Sequence, residues 1–166
     1  MTATYLDEIL EQPAMLTALS RGLPNAVIDA LEQVRRDLAA GAYDRIVITA
    51  MGGSLHGAYP LYLRLSQSQP LPVVVVDASE LVQQIPQMIS AGSLMIAISQ
   101  SGESGEIVEI TRNLARRPRT AVAVTNLAGN SLDMLKGIAA VGNDLDWRSS
   151  VACPTLLIAE MTVSGT

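Results

Sequence analysis

Five short aliphatic runs, rich in β-branched residues, recur along this chain: Arg45–Ala50, Val73–Val76, Leu94–Ile98, Thr120–Val124 and Ile138–Val141. Residues at helical spacing separate them. Strands that alternate with helices build a parallel sheet with right-handed crossovers. Continuous apolar runs, instead of a strict apolar–polar alternation, mark strands buried on both faces. The expected fold is therefore α/β: a three-layer α-β-α arrangement around a five-stranded parallel sheet in the flavodoxin-like order 2-1-3-4-5. Composition agrees, because 49% of residues are hydrophobic while only 3% are aromatic, and Phe is absent. The core must be aliphatic.

The helical segments have their own punctuation. Leu6, Ile9, Leu10, Leu16 and Leu19 lie at helical spacing within Thr4–Ser20, and Pro13 is expected to split that piece into two short helices. A helix after Pro24 carries the stripe Val27, Ile28, Leu31, Val34 and Leu38, with Gly41 as its stop. A third helical pattern starts at Gly52-Gly53-Ser54 and runs through Leu55, Ala58, Tyr62 and Leu65. A helix interrupted at Pro86 follows Asp77, and Ile107, Val108, Ile110 and Leu114 mark another. A short helix from Ser131 and a last stretch over Leu156–Val163 complete the pattern. The length suits one domain. Residues 1–40 read as a helical segment packing on a domain formed by 41–166.

Charge and cysteine count exclude several classes. The net charge is -5 and the pI is about 4.7, so a nucleic-acid backbone would be repelled on average. Few aromatics are available to stack bases. One His and one Cys cannot make an ordinary zinc site. The single Cys153 permits no internal disulfide, which suits a reducing cytoplasm. No basic-then-apolar start suggests a signal peptide, and no apolar run approaches the roughly 20 residues of a membrane helix.

In a parallel sheet, ligands bind beyond the carboxyl ends of the strands, at the point where strand order reverses. Two loops of unusual chemistry fall there. Ser99-Gln100-Ser101-Gly102-Glu103-Ser104 sets three hydroxyls and an amide between a strand and a helix start. The free N–H groups and dipole of a helix's first turn favour an anion. Gly102 lets the backbone approach it closely. No Lys or Arg lies in the loop, so this neutral cradle suits a phosphate monoester on a small metabolite. Gly53 and Ser54 could contribute from the neighbouring loop. A purely structural reading makes Ser104 an N-cap and Ser99–Ser101 a turn.

Rival motifs fit less well. Gly52, Gly53 and Gly57 miss the G-x-G-x-x-G dinucleotide spacing, although Asp77 could serve as its acid. No Lys follows a candidate glycine as a P-loop requires, and Gly102-Glu103-Ser104-Gly105 misses a hydrolase elbow by one position. His56, the only imidazole, and Glu103 are candidate acid–base groups. Their ordinary roles would be a local hydrogen-bond partner and a solvated first-turn acid. Cys153 reads as a small buried residue, and Met51, Met88 and Met95 as core fillers.

The serine-rich run after the third strand, Gly52-Gly53-Ser54 after the first, and Val124-Thr125-Asn126 after the fourth together resemble the sugar isomerase (SIS) domain. The likeness is closest to the N-terminal SIS domain of the isomerase part of glucosamine-6-phosphate synthases and related amino-sugar-phosphate isomerases and deaminases. Glu8-Ile9-Leu10-Glu11-Gln12-Pro13 resembles the segment leading into that part. The resemblance implies a phosphosugar ligand held by Ser54, Ser99, Gln100, Ser101 and Ser104, without a metal ion or cofactor. Relatives mostly carry Thr where Ser104 stands.

The resemblance also implies the first of two SIS domains in a longer protein, with catalytic residues in the second. Val151-Ala152-Cys153-Pro154-Thr155 stands where the family usually has Val-Ala-Ser-Thr-Lys, so that Lys is missing. Glutamine-dependent synthesis is not expected of these residues. The expected function is phosphosugar binding within an aldose–ketose sugar-phosphate isomerase or amino-sugar-phosphate deaminase, with a homodimer partner or a second SIS domain. A single-domain isomerase with active sites between subunits is one alternative. A non-catalytic sugar-phosphate sensor is another.

Overall fold

The structure is a computed structural model and describes residues 25–113, 118–125 and 131–134, together with Leu6, Leu10, Pro13, Ala14 and Thr17. Its elements run in the order α1 (Asn25–Ala39), β1 (Arg45–Ala50), α2 (Gly52–Gly57), α3 (Tyr59–Ser68), β2 (Val73–Asp77), α4 (Ala78–Gln83), a 3-10 turn (Pro86–Met88), β3 (Ser93–Ile98), α5 (Gly105–Asn113), β4 (Thr120–Val124) and a second 3-10 turn (Ser131–Met134).

Among the described residues the sheet is four-stranded and wholly parallel, in the order β2-β1-β3-β4. This is the expected order, one strand short of the five expected. The proposed fifth strand, Ile138–Val141, lies outside the described residues. So do Asn126, the Val151–Thr155 segment with Cys153, the Leu156–Val163 stretch and most of Thr4–Ser20.

Side chains alternate across the sheet with a period of two. Ile46, Ile48, Ala50, Leu94, Ile96, Ile98, Val122 and Val124 face one core, which Leu31, Val34 and Leu38 of α1 and Leu61 and Leu65 of α3 close. Val47, Met95, Ala97, Ala121 and Ala123 face the other, closed by Leu81 of α4, Ile107 and Ile110 of α5, and Leu132. Helices thus cover both faces, as a three-layer α-β-α fold requires. Each fully buried Leu or Ile contributes about 1.5–3 kcal/mol relative to exposure.

Punctuation explains the helix boundaries. Gly41 takes φ +68° just past α1, a conformation that suits a residue without Cβ. The helix expected from Gly52 through Leu65 is two helices instead. Pro60 has no N–H to continue the ladder, and α3 carries it in its first turn. The Tyr62 N–H still donates to the Ala58 carbonyl at 3.0 Å, so α3 follows α2 directly. Asp77 caps α4 by accepting from the backbone N–H and the hydroxyl of Ser79, at 2.9 and 2.6 Å. These bonds hold its carboxyl below the usual carboxylate range, the Ser79 hydroxyl contributing most. Capping α4 is its role among the described residues.

Candidate functional site

Strand register brings the site together. Ala50 of β1 lies opposite Asp77 of β2 and Ile98 of β3, and Ile98 lies opposite Val124 of β4. All four strands therefore end on one line. The chain leaves β1 toward β2 on one side, while β3 lies on the other, so the order reverses between β1 and β3. The segments after Ala50 and Ile98 leave the sheet side by side at this reversal.

The 99–104 segment is built by its own hydroxyls. The Ser99 N–H donates to the Val124 carbonyl at 2.9 Å, which continues the β3–β4 pairing by one residue. The buried Ser99 hydroxyl oxygen accepts from the Gly102 N–H at 3.1 Å, and the Ser101 hydroxyl oxygen accepts from the Glu103 N–H at 3.2 Å. Each hydroxyl spends an acceptor site in this way and keeps its O–H to donate. Gly102 takes φ +69° and is buried, which lets the chain fold back on itself. The turn reading of Ser99–Ser101 is thus correct as far as it goes, and it leaves donors over.

Ser104 departs from the ordinary cap. Its carbonyl accepts from the Val108 N–H at 2.9 Å, which makes it the N-cap of α5. Its hydroxyl oxygen is buried and has no hydrogen-bond partner. A buried hydroxyl without a partner costs about 1–3 kcal/mol. The first-turn N–H groups of α5 have no intrahelical acceptor either. An unspent hydroxyl beside unspent N–H groups is an arrangement that an anion satisfies.

The remaining sequence-derived residues fall as follows. Ser54 is buried in α2, where its N–H donates to the Met51 carbonyl at 3.1 Å. Gly53 is exposed in the same turn, after Gly52 at φ +51°. Gln100 presents its carbonyl to the Thr125 hydroxyl at 3.2 Å. His56 is exposed on α2, two residues past Ser54. Glu103 is exposed, but its two carboxylate oxygens accept from the Ser131 N–H at 2.6 Å and the Ser131 hydroxyl at 2.7 Å. Its role in the structure is to hold Ser131.

Two contributors were not legible as site residues from the sequence. Thr125, buried at the end of β4, supports the loop through Gln100. Ser131 receives Glu103 from 28 positions away. Thr125 does fall within the Val124-Thr125-Asn126 run that carries part of the family resemblance, whereas the only signal for Ser131 was its place after the fourth strand, at the edge where the loop lies. Among the described residues no cluster of His, Cys, Asp and Glu could hold a metal ion. No described helix is long and apolar enough to cross a membrane.

Comparison with known proteins adds the relationship. The chain is 31% identical over 125 residues to the glutamine–fructose-6-phosphate aminotransferase (isomerizing) of Pyrococcus horikoshii, covering 75% of this chain and 20% of that protein. The Thermococcus kodakarensis protein of the same name is 30% identical over 128 residues, with the same coverage. The chain thus spans about a fifth of these relatives.

Among solved structures, the C-terminal domain of glucosamine-fructose-6-phosphate aminotransferase from Francisella tularensis superposes with a TM-score of 0.67 at 21% identity. The match covers 97% of this chain and 48% of that one. The Vibrio vulnificus NanR protein, complexed with ManNAc-6P, gives a TM-score of 0.72 at 16% identity, covering 96% of this chain and 61% of that one. At these identities the two structures establish the shared fold alone. The SIS domain model matches residues 42–140, a stretch that takes in the whole described sheet and both loops at its carboxyl edge, and the chain belongs to the SIS domain family.

Proposed function

We propose that this chain is a phosphosugar-binding domain and that it holds the phosphate in the 99–104 loop. The observation that carries the reading is the buried, unpartnered Ser104 hydroxyl at the start of α5. Ser99 and Ser101 supply further O–H donors, and Gly102 keeps a side chain out of the cradle. Ser54, Gly53 and Gln100 complete the binding set from the neighbouring loop and strand end. The cradle contains no cation, so it holds a phosphate monoester by hydrogen bonds and dipole and releases it readily.

The domain works as the first half of an aldose–ketose sugar-phosphate isomerase or an amino-sugar-phosphate deaminase. A second SIS domain or a homodimer partner completes the site in the cytoplasm. The reaction is proton shuttling between adjacent carbons of the open-chain sugar, which calls for neither metal ion nor cofactor. Residues 1–40 serve as a helical segment on the 41–166 domain. The placement of Leu31, Val34 and Leu38 of α1 in the core supports that packing.

Thermal unfolding with fructose 6-phosphate, glucosamine 6-phosphate and inorganic phosphate tests the binding. At a hundredfold excess over Kd a ligand stabilises by about 2.7 kcal/mol. For a domain of this size that is a rise of roughly 5–10 °C in Tm. No rise with any of the three overturns the reading. An isomerase and deaminase assay on the purified chain separates binding alone from catalysis.

A further inference from the structure

The phosphate reading uses the loop's hydroxyls but leaves its one charged side chain unexplained. A carboxylate beside an anion cradle that has no cation would weaken binding if it faced the ligand. Glu103 is instead fully engaged elsewhere. Both oxygens reach one residue, Ser131, through its N–H and its hydroxyl. These are short, charge-assisted bonds and among the stronger kind. They also place negative charge at the N-terminal end of the Ser131–Met134 turn, where unpaired N–H groups favour it.

Two further bonds tie the loop to the strand that precedes Ser131. The Ser99 N–H meets the Val124 carbonyl, and the Thr125 hydroxyl meets the Gln100 carbonyl. The loop is therefore anchored at its start to the end of β4, and at its far end to Ser131. Only the second anchor lies next to Gly102, whose φ of +69° sets the turn, and next to Ser104.

We infer that Glu103 is a positioning residue for the phosphate loop: its carboxylate clasps Ser131, fixes the loop between two anchors, and is itself kept away from the bound anion. The inference rests on the phosphate reading for its consequence but not for its geometry. It assigns Glu103 no part in proton transfer.

The test uses Glu103→Ala, Glu103→Gln, Ser131→Ala and the double variant Glu103→Ala/Ser131→Ala. Amide hydrogen exchange of the ligand-free chain is the first readout. Glu103→Ala should speed exchange at 99–105 and at 131–134, and Glu103→Gln, which can still accept from the Ser131 N–H, should restore most of the protection. Inorganic phosphate affinity is the second. Glu103→Ala should weaken it by about tenfold, because an ordered site has lost an ordering contact. The Gln variant should recover most of that loss, and the double variant should bind no worse than Glu103→Ala alone.

Unchanged exchange at 99–105 in Glu103→Ala overturns the clasp. Additive losses in the double variant, or a Gln variant as weak as the Ala variant, overturn it too, the latter by pointing to direct use of the carboxylate. If the wild-type chain binds neither phosphate nor a sugar phosphate, the phosphate reading falls, and the exchange data still decide the clasp.

Discussion

Replacing Ser104 by Ala should move stability and phosphate binding in opposite directions. In the ligand-free chain the Ser104 hydroxyl is buried and makes no hydrogen bond, so removing it deletes a desolvated polar group and no interaction. The mutational cost of an unpaired buried hydroxyl is about 1–3 kcal/mol. Part of that gain is lost because Ala is a poor N-cap, a penalty that falls mainly on caps whose side chain makes the capping bond. The net expectation is a stabilisation of about 1 kcal/mol, which for a domain of this size raises Tm by roughly 2–4 °C.

The bound state behaves differently. A hydrogen bond to a charged group contributes about 1.5–3 kcal/mol, so phosphate affinity should fall roughly 10- to 150-fold. Urea or thermal unfolding without ligand and with a fixed concentration of fructose 6-phosphate measures both effects on one sample. The variant should unfold later than wild type without ligand and gain much less from it. Destabilisation by about 1 kcal/mol or more in the ligand-free chain would show that the hydroxyl does cap α5, and would refute the reasoning. An undiminished ligand-induced rise would refute it as well.

Other substitutions probe single features. Thr49→Val removes the other buried hydroxyl that lacks a partner among the described residues, on β1, and should stabilise the chain by about 1 kcal/mol in urea unfolding. Gly102→Ala forces a side chain into a φ of +69° and should cost about 1–2 kcal/mol while weakening phosphate binding in a titration. Asp77→Ala should lose about 1 kcal/mol with the α4 cap. The Asp77 carboxyl is depressed in the fold, so its contribution holds above the unfolded value of 3.8 and fades as pH falls through the lower folded value. The gap between wild type and Asp77→Ala should therefore narrow in acid.

Tyr43 donates to or accepts from the Thr120 hydroxyl at 2.8 Å, and Tyr43→Phe should cost about 1 kcal/mol. Burial, as the largest cause, raises the Tyr43 phenol above 10.0. Its contribution is thus complete below the unfolded value and lost as pH rises through the folded one. The advantage of wild type over the Phe variant should shrink in strong alkali. A gap that stays constant across that range would contradict the assignment.

Sequence and structure agree where the cause is local. Four of the five β-branched runs, those within the described residues, became strands because successive side chains on a strand point to opposite faces, and here both faces are apolar. Gly41 ended α1, and Pro86 broke the segment after β2, because each acts on its own backbone. The serine-rich loop was legible as a turn leading into a helix start, because hydroxyls, a glycine and the first residues of α5 were consecutive. The split between α2 and α3 was missed because the apolar stripe runs through Pro60 without interruption, while the ladder does not.

The sequence by itself determined the alternation of strands and helices, the two apolar faces of the sheet and the position of the hydroxyl-bearing loop. Each depends on residues close together along the chain. Tertiary structure alone decided that Glu103 would hold Ser131, that Thr125 would support Gln100, that Tyr43 would meet Thr120 from 77 positions away, and that the Ser104 hydroxyl would stay unpaired. Those outcomes depend on which strand ends share an edge and in what register. A side chain's partner is whatever that register brings within hydrogen-bond reach, and no local pattern records it.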